Sequence, residues 1–311
     1  MQYIGRTDLA VELQEGVKRE DDRGVNVVTK ESVEEDIRET VIEVTNEDGA
    51  TRIGKPVGTY ITIESRQLAC MDVSYHEPMM RRLMSYLEPY MRGKYHVMIV
   101  GLGNRMVTPD ALGPMVVDHL CITRHLIKED LVAAKYMYSA IAPGVMAQTG
   151  METGELLQGM IEKTKPDLVI AVDALAARSA DRLNKTIQLT DTGITPGSGV
   201  GNHRAALTER TLGVPVIGLG VPTVISVPSI IDAALDTMVH TLGKNGMAQI
   251  LMELSDQERY ALSKEMVTPA LADMYVTPKN VDDAVGRISY TISEALNQML
   301  GLDPAVLAYI H

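Results

Sequence analysis

Two stretches of the chain are apolar without interruption. Val97-Met98-Ile99-Val100 lies inside YHVMIVGLGNRMVTPDALGP (95–114), and Leu168-Val169-Ile170-Ala171-Val172 lies inside PDLVIAVDALAARS (166–179). Runs with no polar alternation predict strands buried on both faces, as in a parallel sheet covered by helices. Tyr136–Ile141, Ile187–Leu189 and Val214–Thr223, the last ending in a turn, read as further strands. Between them, Tyr75–Tyr90 spaces Met79, Met80, Leu83, Met84 and Leu87 at helical intervals, and Leu112–Leu120, Glu152–Thr164 and Ile230–Leu242 also read as helices. Arg124-His125-Leu126 reads as less regular, 142–150 as a loop, and 191–204 as a long Gly-rich loop.

Near the N-terminus the pattern changes to alternation. Strands are expected at 25–29, 40–44 and 58–64, joined by turn-forming stretches at 46–49 and 54–56. Residues 1–12 read as a tail or edge element, and 17–39 as mostly exposed loop. The expected fold class is therefore α/β: a mostly parallel twisted central sheet with helices on both faces, plus a small antiparallel β flap near the N-terminus. We expect one domain, with the flap at 25–65, the sheet core at 95–242 and C-terminal helices at 247–311, where 275–278 is turn-like.

Composition narrows the function classes. The 311 residues carry a formal net charge of −12, which argues against nucleic acid as a direct partner, because phosphate binding needs clustered Lys and Arg. No apolar run is long enough for a bilayer, and Arg6, Thr7 and Asp8 stand where a secretory signal would need apolar residues. With only Cys70 and Cys121, a reduced, cytoplasmic setting is the expectation, with no membrane partner. There is no Phe or Trp among nineteen Met and twelve Tyr, so aliphatic side chains and Met must fill the core.

Candidate chemistry sits on the carboxyl side of the two apolar runs. Asp110 and Asp173 each follow one of them; if the strands are neighbours, both carboxylates face one crevice, and two close carboxylates cannot both ionise easily. Such a pair suits acid/base work or metal binding, whereas the structural reading makes both of them helix N-caps. Gly101-Leu102-Gly103-Asn104 invites a dinucleotide-loop reading, but Met106 stands where a third Gly is needed. Asp191-Thr192-Gly193 matches the triplet of pepsin-like proteases, though only once and outside an all-β pattern. Of the seven His, only His203 lies in the Gly-rich loop; neither HExxH nor a nucleophile elbow is present.

RTDLAVE (6–12), GLGN with TPDALGP (101–114), ITRHL (122–126), PGVM (143–146), DALAARS (173–179), and DTGITPGSGVGNHR with PVIGLGVPTV together resemble the germination proteases of spore-forming bacteria. The resemblance implies an endopeptidase of the spore core that degrades small acid-soluble spore proteins, made as a homotetrameric zymogen that cuts itself, with a fold like that of hydrogenase maturation proteases. It implies Asp110 and Asp173 as an aspartic-type catalytic pair, with Asn104, Arg178, Gly199 and His203 as possible loop contributors. RTDLAVE is similar to the family's cleavage site and to the Thr-Glu-apolar-Ala pattern of its substrates, so self-cleavage is expected between Asp8 and Leu9, making 1–8 a short propeptide and 9–311 the peptidase domain. No cofactor is expected. The maturation proteases bind metal through corresponding acidic residues, which leaves a metal at Asp110 and Asp173, in a metal-dependent processing protease, as the alternative.

Overall fold

A computed structural model describes residues 7–16, 24–70, 72–201, 204–242, 254, 256–303 and 306. One sheet organises them. Its strands are β1 (Val25–Ser32), β2 (Ile37–Val44), β3 (Gly58–Glu64), β4 (His96–Gly101), β5 (Met137–Ile141), β6 (Leu168–Ala177), β7 (Thr186–Thr190), β8 (Val216–Ser226) and β9 (Tyr275–Val276). They lie in the order β1-β2-β3-β7-β8-β6-β4-β5, with β9 paired to the far end of β8. The four strands β5-β4-β6-β8 are parallel and form the α/β centre. The antiparallel flap β1-β2-β3 continues the same sheet through β7.

The unbroken apolar runs are explained by what covers each face. Val97, Ile99, Ile170 and Val172 point to one side, where Met79, Leu83 and Leu87 of the His76–Met91 helix and Val285, Ile288 and Ile292 of the Val281–Met299 helix pack on them. Met98, Val100, Val169 and Ala171 point to the other, against Leu157 and Leu212. Alternate side chains on a strand face opposite ways, so each run serves two cores. Full burial of each such side chain stabilises by roughly 1.5–3 kcal/mol before entropy is counted.

Several local expectations need correction. The stretch at 46–49 opens a helix, Glu47–Ile53, because the Asn46 side chain accepts from the Gly49 amide and Gly54, at φ 71°, ends it. Short helices also form at Arg124–Lys128 and Met146–Thr149. β8 runs on through Pro222 to Ser226; the ring's missing N–H falls at a register shift between Leu175 and Ala176. Residues Ala10–Glu15 are a helix, and Leu9 and Ala10 are wholly buried, so this is no tail. The pattern expected from 247 includes Asp256–Glu265 and Pro269–Ala272, while residues 243–253 lie outside the described residues. Cys70 and Cys121 are both free. Among the described residues, no helix is long and apolar enough to cross a membrane.

Candidate active site

β4 and β6 are neighbours, with Val97 opposite Leu168 and Gly101 opposite Val172. The chain leaves β4 through a turn whose glycines permit backbone contact. A Cβ on Gly101 would stand 2.2 Å from the Gly113 carbonyl oxygen, and one on Gly103, at φ 112°, would stand 2.0 Å from that of Asp110. The tight turn brings Asp110, at the end of a 3-10 turn over Thr108–Asp110, back over the strand end. There its Oδ2 accepts the Asn104 amide at 2.7 Å, while Thr223 Oγ1 on β8 donates to the Pro109 carbonyl at 2.6 Å. The GLGN amide that a dinucleotide loop would offer to phosphate is thus taken by the chain's own carboxylate.

Asp173 lies within β6 rather than beyond it, because Asp173 to Ala177 remain paired with Gly220 to Ile225 of β8. It is buried, and its Oδ1 accepts the Ala174 amide at 3.0 Å. Neither aspartate is an N-cap: the helix after Asp110 starts from Ala111 with no side-chain cap. Burial holds the Asp173 carboxyl well above its ordinary value; the charges of Asp110 and Asp8 push it further up, against the Ala174 amide and Arg204. Asp110 is raised too, chiefly by burial, with the Asn104 amide and Arg204 opposing.

The third carboxylate in this field belongs to the N-terminal segment. Asp8 N–H donates to the Ala176 carbonyl at 2.9 Å, and its Oδ2 accepts the Ala176 amide at 2.9 Å. Ser198 Oγ donates to Oδ1 at 2.6 Å. The Asp8 carbonyl oxygen accepts from Lys55 Nζ at 2.9 Å and from Gln188 Nε2 at 3.0 Å. The next residues are held as firmly. Leu9 and Ala10 pack with Ile42, Ile53, Tyr60 and Leu175, and buried Glu12 accepts the amides of Arg178 and Ser179 at 2.7 and 2.9 Å. A cavity of about 250 Å³ opens beside this segment, lined among others by Asp8, Lys55, Gln188, Ser198 and Gly220.

Residues 4–250 match the family model described as Germination protease. The chain belongs to the germination protease family. A germination protease of Caldanaerobacter subterraneus subsp. tengcongensis is 40% identical, the match covering 97% of this chain and 95% of that one. One from Clostridium perfringens is 40% identical over 95% and 94% of the two chains, and one from Bacillus cereus 39% over 96% and 94%. Membership makes this chain a protease. A solved [NiFe] hydrogenase maturation protease from Thermococcus kodakarensis aligns with 68% of this chain and 98% of its own at 19% identity, with a TM-score of 0.34.

In this germination-protease chain the charges of Asp110 and Asp8 both act on Asp173, and the Asn104 amide holds Asp110. Gly199 lies against Asp8: a Cβ there would stand 2.1 Å from Asp8 Oδ2. Arg178 contributes its backbone to Glu12 rather than its side chain to the carboxylates. His203 lies outside the described residues. Sequence reasoning missed Lys55, Gln188, Ser198 and Arg204. Ser198 and Arg204 stand inside the Gly-rich motif, whereas Lys55 and Gln188 have no motif around them.

Among the described residues, no three His, Cys, Asp or Glu side chains are grouped to hold a metal ion. The pair Asp110 and Asp173 is accompanied by the cationic Arg204, whose charge acts on both.

Proposed function

We propose that this chain is an aspartic-type endopeptidase that uses Asp110 and Asp173 to cut itself between Asp8 and Leu9 and then begins the degradation of small acid-soluble spore proteins in the spore core. The observation that carries this reading is the placement of the Asp8–Leu9 segment against β6, with the Asp8 charge acting on Asp173. Asp173, the deeper of the two and pushed up by burial, holds the proton that the leaving nitrogen takes. Asp110, more open and steadied by the Asn104 amide, accepts a proton from water. Hydroxide oxygen adds to the Asp8 carbonyl carbon, and collapse of the tetrahedral centre breaks the bond to Leu9 nitrogen, which takes its proton from Asp173.

The family resemblance supports a zymogen, a homotetramer and substrates cut within Thr-Glu-apolar-Ala. Thr7-Asp8-Leu9-Ala10 has the same order of polar, acidic, apolar and small residues. The test is cleavage of a purified small acid-soluble spore protein by the form beginning at Leu9, with Asp110→Asn, Asp173→Asn and a chelator alongside. Cutting after the acidic residue, lost in both variants and kept with chelator, is expected. Loss with chelator, restored by one metal, would make these carboxylates ligands instead.

A further inference from the structure

The Asp8 carbonyl oxygen is bound by two donors from unrelated parts of the chain. Lys55 follows Gly54, whose left-handed conformation ends the Glu47–Ile53 helix and turns the chain toward the segment. Gln188 is buried at the centre of β7, opposite Thr62 on β3 and Gly220 on β8. Its amide is oriented by two bonds: Nε2 gives to the Asp8 carbonyl at 3.0 Å, and Oε1 takes the Ala10 amide at 2.7 Å. A neutral peptide carbonyl needs no ammonium to satisfy it. An ammonium aimed at one is worth most when that oxygen becomes an anion, because donors already in place cost no reorganisation as charge develops.

We propose that Lys55 Nζ and Gln188 Nε2 form the oxyanion site of this protease, holding the oxygen of the scissile carbonyl both in self-cleavage and in the cutting of protein substrates. The proposal rests on the reading of Asp8–Leu9 as the cleaved bond. When water adds to the Asp8 carbonyl carbon, the carbonyl π pair moves onto this oxygen. Lys55 and Gln188 stabilise the charge without giving up a proton, and the pair returns as the bond to nitrogen breaks. The two carboxyls carry the proton traffic, while these two donors carry the electrostatic part. The acidic side chain before the cut bond is held separately, by the Ala176 amide and Ser198. Loss of Lys55 or Gln188 therefore acts on the rate of bond cleavage more than on binding.

The experiment compares the wild-type chain with Lys55→Met, Lys55→Arg, Gln188→Leu and Gln188→Glu. Each is followed by intact mass for self-cleavage and, as the form beginning at Leu9, by kcat and KM on a peptide containing a Thr-Glu-apolar-Ala site. Thermal melting confirms that each is folded. Loss of one donor is expected to lower kcat by about 100-fold or more, with KM changing far less. Lys55→Arg, which keeps a charged donor, is expected to recover part of the loss. Gln188→Glu keeps the acceptor for Ala10 and loses the donor, so it should fall with Gln188→Leu. Folded variants that retain wild-type kcat, or that change KM alone, would overturn the oxyanion assignment while leaving the carboxyl pair intact. A wild-type chain that never cuts Asp8–Leu9 and spares the peptide would overturn both.

Discussion

Asp8 and Ala176 exchange two hydrogen bonds, both of 2.9 Å: Asp8 N–H to the Ala176 carbonyl, and the Ala176 amide to the Asp8 carboxylate. The N-terminal segment is therefore bound to the end of β6 in the manner of an added peptide, with its side chain as well as its backbone. Ser198 completes the carboxylate's shell. Ser198→Ala should slow self-cleavage about tenfold, since a hydrogen bond to a charged group is worth roughly 1.5–3 kcal/mol and 1.4 kcal/mol is tenfold. Quantifying the uncut chain over time checks this, and an unchanged rate would count against the contact.

Gly199 leaves no room for a side chain, because a Cβ would fall 2.1 Å from Asp8 Oδ2 and 2.7 Å from the Ala176 Cβ. Gly199→Ala is expected to destabilise the full-length chain by about 1–3 kcal/mol, the usual cost of overpacking. The form beginning at Leu9 lacks one of the two clashes and should lose less. Denaturant unfolding of both forms makes the comparison, and equal losses would mean that Asp8 does not occupy this position.

Glu12 ties the following helix down from the other side. It is buried, takes two amides of the β6 exit, accepts from Thr7 Oγ1 and lies 3.6 Å from Arg182. Glu12→Ala leaves the Arg178 and Ser179 amides without acceptors and should cost about 2–4 kcal/mol. The two amides and Arg182 stay with the form beginning at Leu9 while Thr7 leaves with residues 1–8, so most of the loss should persist after self-cleavage but be somewhat smaller. Urea midpoints of the two forms test this, and a loss confined to the full-length chain would contradict it.

Asp173 also predicts how stability depends on pH. Its folded carboxyl is held well above 3.8, so just above that value the folded chain keeps a proton that the unfolded chain has lost. Folding then binds more protons than unfolding, and stability falls as pH rises through the interval until the folded carboxyl ionises. Asp173→Asn removes this loss. It should be more stable than wild type at neutral pH. Its advantage should shrink toward acid pH. Melting temperatures that differ by a constant amount at every pH would contradict this.

What could be read in advance follows from the range over which each signal acts. β4 and the first half of β6 were legible because burial on both faces leaves an unbroken apolar run, and the His76–Met91 helix because its Met and Leu recur at helical spacing. The Glu47–Ile53 helix was not, since Asn46-Glu47-Asp48-Gly49 reads equally as a turn until Asn46 is seen to cap it. The pair of aspartates was legible in GLGN-TPD and in the run ending at Asp173. The extension of β6 past Asp173 was hidden by Pro222, which reads as a turn residue although it lies in the partner strand. The burial of Leu9 and the grip on Asp8 depend on Ala176, Gln188 and Ser198, far along the chain, and no local pattern announces such contacts. Lys55 and Gln188 are single polar residues in ordinary surroundings, so only the fold brings them to one oxygen.

The central claim is that Asp110 and Asp173 cut the bond after Asp8, and intact mass spectrometry of the full-length chain tests it most directly. Incubated purified chain should lose the mass of residues 1–8 and acquire Leu9 as its N-terminus, while Asp110→Asn and Asp173→Asn, both folded, keep their full mass. Cleavage at another bond, or cleavage after Asp8 that persists in both variants, would contradict it.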